Sequence, residues 1–182
     1  MTRIISGDAG GRRLRTPPGS STRPTSDRVR EALFSRLEHR GLLDGTRVLD
    51  LYAGSGAVGL EARSRGAGVV TFVEQDRRTA ALITRNAAAL GFSRSRVIAS
   101  AVATALQSPP AAPYDLPEEA LAAVLTALVE RGWLGPESFV VVERSTRSPQ
   151  PRWPAGLEFS GEKRYGETAM WFAEPTPHEV VA

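Results

Sequence analysis

A glycine-rich turn between a strand and a helix is the part of this sequence whose residue types could do chemistry. The apolar segment 47–51 runs into Tyr52-Ala53-Gly54-Ser55-Gly56, and a helical pattern follows over 57–65. Glycines let the backbone turn tightly and approach a ligand closely, and the first turn of the helix offers free N–H groups. The spacing G-x-G-x-x-G, completed by Gly59, therefore predicts a ligand site, although this pattern alone is weak.

Two acidic residues sharpen that prediction. Asp50 stands at the end of the first strand pattern, and Glu74 ends the second. A carboxylate in the position of Glu74 can accept hydrogen bonds from both hydroxyls of an adenosine ribose. The carboxylate of Asp50 would repel a pyrophosphate at the start of the helix. The sulfonium and amino group of S-adenosylmethionine would instead tolerate or favour that carboxylate. The pair favours S-adenosylmethionine; a nicotinamide dinucleotide and an ordinary strand-to-helix turn stay open as alternatives.

The elements that must position this turn alternate along the chain. The patterns predict helices over 28–40, capped by Ser26-Asp27, and over 57–65, 77–90 and 117–131. They predict strands over 47–51, 69–73, 96–99 and 138–143, and an antiparallel pair over 157–164 and 168–173. This alternation predicts an α/β fold with a mainly parallel sheet and helices on both faces. Residues 2–16, which have a glycine-rich centre, predict a small N-terminal β-hairpin.

Composition limits the class of protein. The 182 residues, 24% charged and 41% hydrophobic, are typical of one soluble globular domain, and the lack of cysteine excludes thiolate metal sites and cysteine nucleophiles. Two widely separated histidines, His39 and His178, predict no metal site. No apolar run approaches the ~18 residues of a membrane span, and the first residues lack a signal-peptide core. We therefore expect a cytoplasmic protein, and a monomer because nothing in the sequence demands a partner chain.

Positive charge is concentrated near the N-terminus. Residues 1–40 contain nine arginines and four acidic residues, while the whole chain has a net charge of only +3. Clustered guanidinium groups can grip phosphates bidentately, so this segment is a candidate for binding a polyanion. A solvated basic surface is the alternative, and composition alone does not separate the two.

Longer motifs connect these features to a known family. The segment 23–31 (RPTSDRVRE), joined to the turn 50–56 (DLYAGSG), resembles the bacterial 16S rRNA guanine-N2 methyltransferases of the RsmD type. The segments 3–7 (RIISG) and 11–14 (GRRL) match the opening of that family, and the likeness continues through Gly132-Trp133 to the tail. The resemblance covers nearly the whole chain.

The resemblance implies a fold, a reaction and a set of site residues. The fold would be a Rossmann-like class I methyltransferase domain with seven strands over 23–174, preceded by the basic extension 1–22 and followed by the tail 175–182. The reaction would transfer a methyl group from S-adenosylmethionine to the exocyclic N2 amine of a guanine in 16S rRNA, free or in an assembling small ribosomal subunit. The implied residues are Asp50, Tyr52, Ala53, Gly54, Ser55 and Gly56 around the methionine part, Glu74 on the ribose, Arg23, Pro24 and Thr25 closing over the cofactor, and Arg3, Arg12, Arg13 and Arg15 on the RNA.

The sequence departs from the family at one place. The family has an Asp/Asn-Pro-Pro-Tyr/Phe tetrapeptide at the end of its fourth strand, where an acceptor side chain and a carbonyl orient the guanine amine and the aromatic ring stacks on the base. Here residues 107–117 read QSPPAAPYDLP, with no apolar run before the predicted helix at 117. Because prolines are excluded from central strands, we expect the fourth strand to be missing.

Three interpretations of this departure stay open. In the first, the sequence omits a short stretch of the natural chain and the protein is an ordinary enzyme of the family. In the second, Pro113 and Tyr114 belong to a shifted catalytic loop and are the catalytic candidates. In the third, the deletion is real and the protein is a catalytically inactive RNA-binding or ribosome-assembly relative.

Overall fold

The computed structural model describes residues 2–17, 26–107, 116–118 and 122–176. It contains five helices, named in chain order α1 (Asp27–His39), α2 (Ala57–Ser64), α3 (Arg77–Leu90), α4 (Val102–Ala105) and α5 (Ala122–Glu130) within these ranges. The strands are β1 (Arg47–Leu51), β2 (Val69–Glu74), β3 (Ser95–Ala99), β4 (Leu116–Glu118), β5 (Val140–Ser145), β6 (Leu157–Tyr165) and β7 (Thr168–Pro175). The chain divides into two compact units, Met1–Ala105 and Leu106–Ala182.

The first unit contains three parallel strands in the order β3-β2-β1. Leu51 lies opposite Val73 in the register of β1 and β2, so both strands end at the same edge. Most side chains of β1 and β2 are buried, and Leu49 and Phe72 are fully inaccessible to solvent. Because β1 and β2 run in the same direction, this register brings the turn after β1 close to the end of β2.

The second unit contains the other four strands, in the order β4-β5-β7-β6. β4 runs parallel to β5, and β7 pairs antiparallel with both β5 and β6. Phe139 and Phe172 stack in its core with ring centroids 5.5 Å apart. The two units therefore combine parallel and antiparallel pairing, and the predicted α/β class is confirmed.

Most predicted elements are confirmed, because local sequence signals set their ends. The hydroxyl oxygen of Ser26 accepts a hydrogen bond from the Val29 N–H at 3.3 Å and caps α1. Asp76 caps α3 in the same way through the Thr79 N–H at 2.7 Å, and Gly91 in a left-handed conformation ends that helix.

The prediction that the fourth strand is missing is wrong. Residues Leu116–Glu118 form β4, in which Glu118 pairs with Val141 of β5, so positions 117 and 118 belong to a strand and not to the predicted helix, whose described part is Ala122–Glu130. The prediction relied on the lack of an apolar run and on the prolines. A three-residue strand needs neither a long run nor many ladder bonds, and the fixed φ of a proline is compatible with an extended backbone.

The N-terminal hairpin is smaller than predicted. Arg3 and Arg13 form one antiparallel bridge in place of two regular strands. Around the bridge, the Ile4 N–H donates to the Arg12 carbonyl at 2.9 Å and the Gly11 N–H donates to the Ile4 carbonyl at 2.8 Å. The ladder stops there because the main-chain N–H groups of Ile5, Ser6 and Asp8 donate to residues of α2 and not across the hairpin.

A buried carboxylate on α2 holds residues 2–17, which we call the N-terminal segment. The carboxylate oxygens of Glu61 accept hydrogen bonds from the main-chain N–H groups of Ile5 at 2.7 Å and Ser6 at 3.0 Å. Glu61 is fully buried and is paired with Arg65 at 2.8 Å and with Arg30 at 3.7 Å. Arg30 also donates to the Arg3 carbonyl at 2.8 Å, so α1, α2 and the N-terminal segment meet at one charge.

Arg65 connects this buried network to two acidic residues of α1 that are partly exposed. Its guanidinium also pairs with Glu31 and, at 3.1 Å, with Glu38, whose side chains are half exposed. Burial opposes the charged form, but the hydrogen bonds from Arg65 to Glu61 and Glu31 raise its pKa above the ordinary value. The guanidinium therefore stays charged and bridges α1 to α2.

Within the described ranges, the helices are too short or too polar to cross a membrane.

We predict that Glu61→Gln lowers the free energy of unfolding by about 1–3 kcal/mol, because glutamine offers only one acceptor oxygen to the two buried N–H groups that Glu61 now satisfies. Arg30 and Arg65 lose one buried partner but keep Asp27, Glu31 and Glu38. The measurement is urea unfolding at neutral pH. Glu38→Gln is the matched control, because it removes an exposed partner of the same Arg65 and should cost less than about 1 kcal/mol. Equal losses for the two variants would contradict the assignment of Glu61 as the buried anchor.

Candidate functional site

The glycine-rich turn after β1 adopts a sequence of left-handed conformations. Tyr52, Gly54 and Gly56 have φ angles of 57°, 54° and 75°. Such angles cost a residue with a side chain about 1 kcal/mol or more, so the strained Tyr52 marks a position where the surrounding structure imposes the backbone. The turn is closed by hydrogen bonds from the Ala53 N–H to the Val73 carbonyl at 3.1 Å and from the Gly56 N–H to the Ala53 carbonyl at 2.7 Å.

Gly59 joins the turn to Asp50. Its N–H, in the first turn of α2, donates to the Asp50 carboxylate at 2.9 Å. A Cβ on Gly59 would lie 2.4 Å from the Phe72 ring and 2.9 Å from the Asp50 carboxylate, so only glycine fits there. The third glycine of G-x-G-x-x-G is thus required for close packing of α2 on β1 and β2, a role that the motif itself could have indicated.

Asp50 is almost completely buried, with 3% of its surface exposed. Burial raises the pKa of Asp50 to about 7, the Gly59 hydrogen bond opposes the rise, and the nearby charge of Glu74 adds to it. Burial and the neighbouring charge thus favour the protonated form of this carboxyl group. A positive charge bound beside it would favour the ionised form.

Glu74 lies at the end of β2 and contacts the turn directly. One carboxylate oxygen accepts a hydrogen bond from the Gly54 N–H at 2.9 Å, and the other accepts one from the Asp76 N–H at 2.9 Å. The structure thus brings Asp50, the turn and Glu74 to one edge of the parallel strands, the edge at which α/β folds bind ligands. The assignment of individual ligand contacts to these residues stays a prediction.

Five of the predicted site residues lie outside the described residues. They are Arg23, Pro24 and Thr25, predicted to close over the cofactor, and Pro113 and Tyr114, the catalytic candidates. Their predicted roles stay predictions.

The four arginines predicted to contact RNA have different surroundings. Arg3 lies 3.5 Å from Asp27 with 63% of its side chain exposed, and Arg12 donates a hydrogen bond to the Ala89 carbonyl near the end of α3. Arg13 and Arg15 are exposed. All four lie in the N-terminal segment, where Arg3 and Arg12 already contact groups of the protein itself.

One polar residue near the turn was not predicted from the sequence. Asn86, on the buried face of α3, contacts both the main chain of Arg15 and the carbonyl of Ser55. A buried asparagine in a helix otherwise rich in alanine and leucine was the available signal, since buried polar groups need partners.

The chemistry of this edge suits a ligand with hydroxyl groups and positive charge. Carboxylates accept hydrogen bonds and stabilise cations, and the turn offers main-chain N–H groups. At Gly54 a Cβ would meet nothing nearer than the Tyr52 carbonyl at 3.9 Å, so open space lies beside the turn. Among the residues the structure describes, no three His, Asp or Glu side chains are grouped as a metal site requires.

We predict that Asp50→Asn flattens the dependence of stability on pH. The unfolded carboxyl group loses its proton near the ordinary aspartate pKa of 3.8 and the folded one near 7, so the folded state binds more protons between these values. The free energy of unfolding should therefore fall as pH rises through this window, by up to about 1.4 kcal/mol per pH unit. Urea unfolding across this pH range measures the slope.

Asp76→Asn is the control for this experiment. The hydrogen bonds from Thr79 lower the pKa of the exposed Asp76, so its stabilising contribution is present above the ordinary aspartate pKa of 3.8 and is lost as pH falls below that value. This variant should alter the profile only at acidic pH. A slope between about pH 4 and 7 that survives Asp50→Asn would overturn the assignment.

Comparison with known proteins identifies relatives over most of the chain. Residues 2–174 match the family model described as "Conserved hypothetical protein 95". The chain is 34% identical over 174 residues to "Ribosomal RNA small subunit methyltransferase D" of Escherichia coli (strain K12), covering 92% of this chain and 86% of that protein. It is 34% identical over 161 residues to the protein of the same name from Haemophilus influenzae, covering 81% of this chain and 80% of that protein.

Solved structures agree with these matches. The structure described as "Putative methyltransferase yhhF from Escherichia coli" aligns with a TM-score of 0.86 and 32% identity, covering 96% of this chain and 97% of that one. A methylase of ribosomal protein L11 from Lactobacillus delbrueckii aligns with a TM-score of 0.63 at 15% identity, covering 90% of this chain and 86% of that one, which shows the shared fold alone. The turn, the carboxylates that flank it and these matches together show that the chain belongs to the RsmD family of methyltransferases.

Proposed function

We propose that this protein transfers a methyl group from S-adenosylmethionine to the N2 amine of a guanine in the RNA of the small ribosomal subunit. The observation that carries the proposal is the Gly54–Glu74 contact, which fixes a positive-φ glycine turn between two carboxylates at the strand edge. Family membership supports the reaction class, since relatives at 34% identity are named ribosomal RNA small subunit methyltransferases. The same relatives disfavour an inactive protein as the alternative.

The residues at the turn fit this methyl donor. Each oxygen of the Glu74 carboxylate already accepts one main-chain hydrogen bond and has a further lone pair, which can accept a ribose hydroxyl. Asp50 would face the amino group and sulfonium of the methionine part, whose charge favours its ionised form. Tyr52, Ala53, Ser55 and Gly56 would surround that part of the donor.

When bound, the donor supplies an electrophilic methyl group. The protein's contribution is to position the guanine amine in line with that group, because the N2 lone pair is delocalised into the ring and attacks poorly. The target base must leave its stack to reach the site, at a cost of a few kcal/mol. Arg23-Pro24-Thr25 as the cover of the site and Pro113-Tyr114 as the groups that orient the base belong to this proposal.

The wider organisation of a class I enzyme is also proposed for this chain. It comprises one seven-stranded sheet, a methyltransferase domain over 23–174 between an extension 1–22 and a tail 175–182, a monomeric state and a cytoplasmic location. The RNA substrate would be free 16S rRNA or an assembling small subunit. The exposed Arg13 and Arg15, with Arg3 and Arg12, would meet its phosphates.

We expect the protein to incorporate labelled methyl groups from S-adenosylmethionine into small-subunit rRNA taken from a methylation-deficient strain, with N2-methylguanosine as the labelled nucleoside. Glu74→Ala should weaken donor binding about 10- to 100-fold, since hydrogen bonds to a charged group contribute about 1.5–3 kcal/mol. Titration calorimetry with S-adenosylhomocysteine measures that loss.

Glu74→Gln is the graded control for donor binding. It keeps one acceptor oxygen and should lose less affinity than Glu74→Ala. No incorporation by folded wild-type protein, on free rRNA and on small subunits alike, would refute the proposed reaction. Unchanged affinity in both Glu74 variants would instead refute the ribose contact.

We also predict that Arg13→Ala lowers the salt dependence of RNA binding. Each lost phosphate contact should reduce the slope of log K against log salt by about 0.7–0.9. Arg94→Ala is the matched control, because Arg94 is also exposed but precedes the amino end of β3, at the edge opposite the turn. Filter binding at several salt concentrations measures the slopes, and identical slopes for Arg13→Ala and wild type would rule out this contact.

A further inference from the structure

One buried side chain links the two parts of the proposed site. Asn86 lies on α3 with only 4% of its surface exposed. Its side-chain oxygen accepts the Arg15 N–H at 3.0 Å, and its side-chain nitrogen donates to the Arg15 carbonyl at 2.9 Å. The amide therefore pairs with Arg15 as a neighbouring strand would, by taking both main-chain polar groups of one residue.

The same amide reaches the glycine turn. The side-chain nitrogen of Asn86 lies 3.4 Å from the Ser55 carbonyl, to which it donates its second hydrogen. An asparagine amide has two N–H donors and one carbonyl oxygen, so these three contacts use every polar hydrogen of the side chain. One side-chain amide thus contacts both the turn, at Ser55, and the main chain of Arg15.

The N-terminal segment rests on α3 at a second point. Arg12 donates to the carbonyl of Ala89, one turn after Asn86, where the negative end of the helix dipole favours a cation. The segment that bears the predicted RNA contacts is thus held along the last turns of α3. Residues 16–25, which include the predicted cofactor cover, follow Arg15 directly in the chain.

We infer that Asn86 is a positioning residue that couples donor binding at the turn to RNA binding by the N-terminal segment. The inference rests on the proposed function. A donor that orders the turn around Ser55 stabilises the Asn86 amide in the orientation that holds Arg15. By linkage, RNA bound to that segment must then tighten donor binding by the same factor.

The test is a binding cycle with S-adenosylhomocysteine and small-subunit rRNA from a methylation-deficient strain. RNA affinity is measured by filter binding with and without saturating S-adenosylhomocysteine, and the ratio of the two dissociation constants is the coupling factor. We expect a factor of at least about 5 for wild type, the lower end of typical couplings. In Asn86→Leu, which is similar in size and makes none of the three hydrogen bonds, the factor should fall below about 2.

Two variants separate coupling from charge and from general damage to α3. Arg15→Ala keeps its main-chain contacts with Asn86, so it should weaken RNA binding while leaving the coupling factor unchanged. Thr84→Ala removes only a hydroxyl contact to the Ala80 carbonyl in the same helix and should change neither quantity. Asn86→Asp, which keeps the acceptor for the Arg15 N–H and loses both donors, serves if Asn86→Leu does not fold and should lower the factor as well.

The outcomes distinguish the inference from the proposed function. Both ligands bound by wild type with a coupling factor near 1, or a factor that survives Asn86→Leu or Asn86→Asp, would overturn the inference and leave the proposed function intact. If folded wild type failed to bind S-adenosylhomocysteine, or failed to bind the RNA, both the inference and the proposed function would be overturned. Loss of coupling in Arg15→Ala would show that the arginine charge, and not the amide of Asn86, carries the effect.

Discussion

The arrangement of α1, α2 and the N-terminal segment in the first unit depends on the ion pairs and hydrogen bonds of the buried Glu61 carboxylate. A carboxylate buried without compensation costs several kcal/mol, so its position is tolerated only while opposite charges and hydrogen bonds surround it. Arg30 and Arg65 supply the charges, and the N–H groups at the start of the chain supply the hydrogen bonds. Because α2 carries this carboxylate and is preceded by Gly56 at its N-cap, the network that holds the N-terminal segment also holds the helix that follows the glycine-rich turn.

A second electrostatic constraint operates at the other side of the turn. Asp50 is buried close to Glu74, and both burial and this like charge oppose its ionisation. The main-chain N–H groups of Gly59 and Gly54 partly compensate the two carboxylates. A ligand with positive charge would complete that compensation, whereas a pyrophosphate would aggravate the repulsion, and the geometry thus supports the preference for a sulfonium donor that the residue types suggest.

The sequence patterns predicted those helix and strand boundaries that are set by residues close to each boundary. The cap at Ser26, the buried strands around the turn and the helix ended by Gly91 follow from side chains within a few residues of each boundary. The short β4 was missed because three residues display no period. Glu61 and Asn86 were missed for a different reason, since their partners in the N-terminal segment lie far away in the chain and a helical pattern does not reveal which buried polar residue will meet them.

The same long-range contacts change how the basic N-terminal charge is understood. Counting arginines treats every guanidinium as available to phosphate, yet Arg30 is completely buried and holds Glu61, and Arg12 is bound to a carbonyl of α3. Part of the charge excess therefore holds the N-terminal segment in place, while Arg13 and Arg15 of that segment are exposed. A polyanion that binds there meets a backbone already fixed by Glu61 and Asn86, so less conformational entropy is lost on binding than with a flexible basic tail.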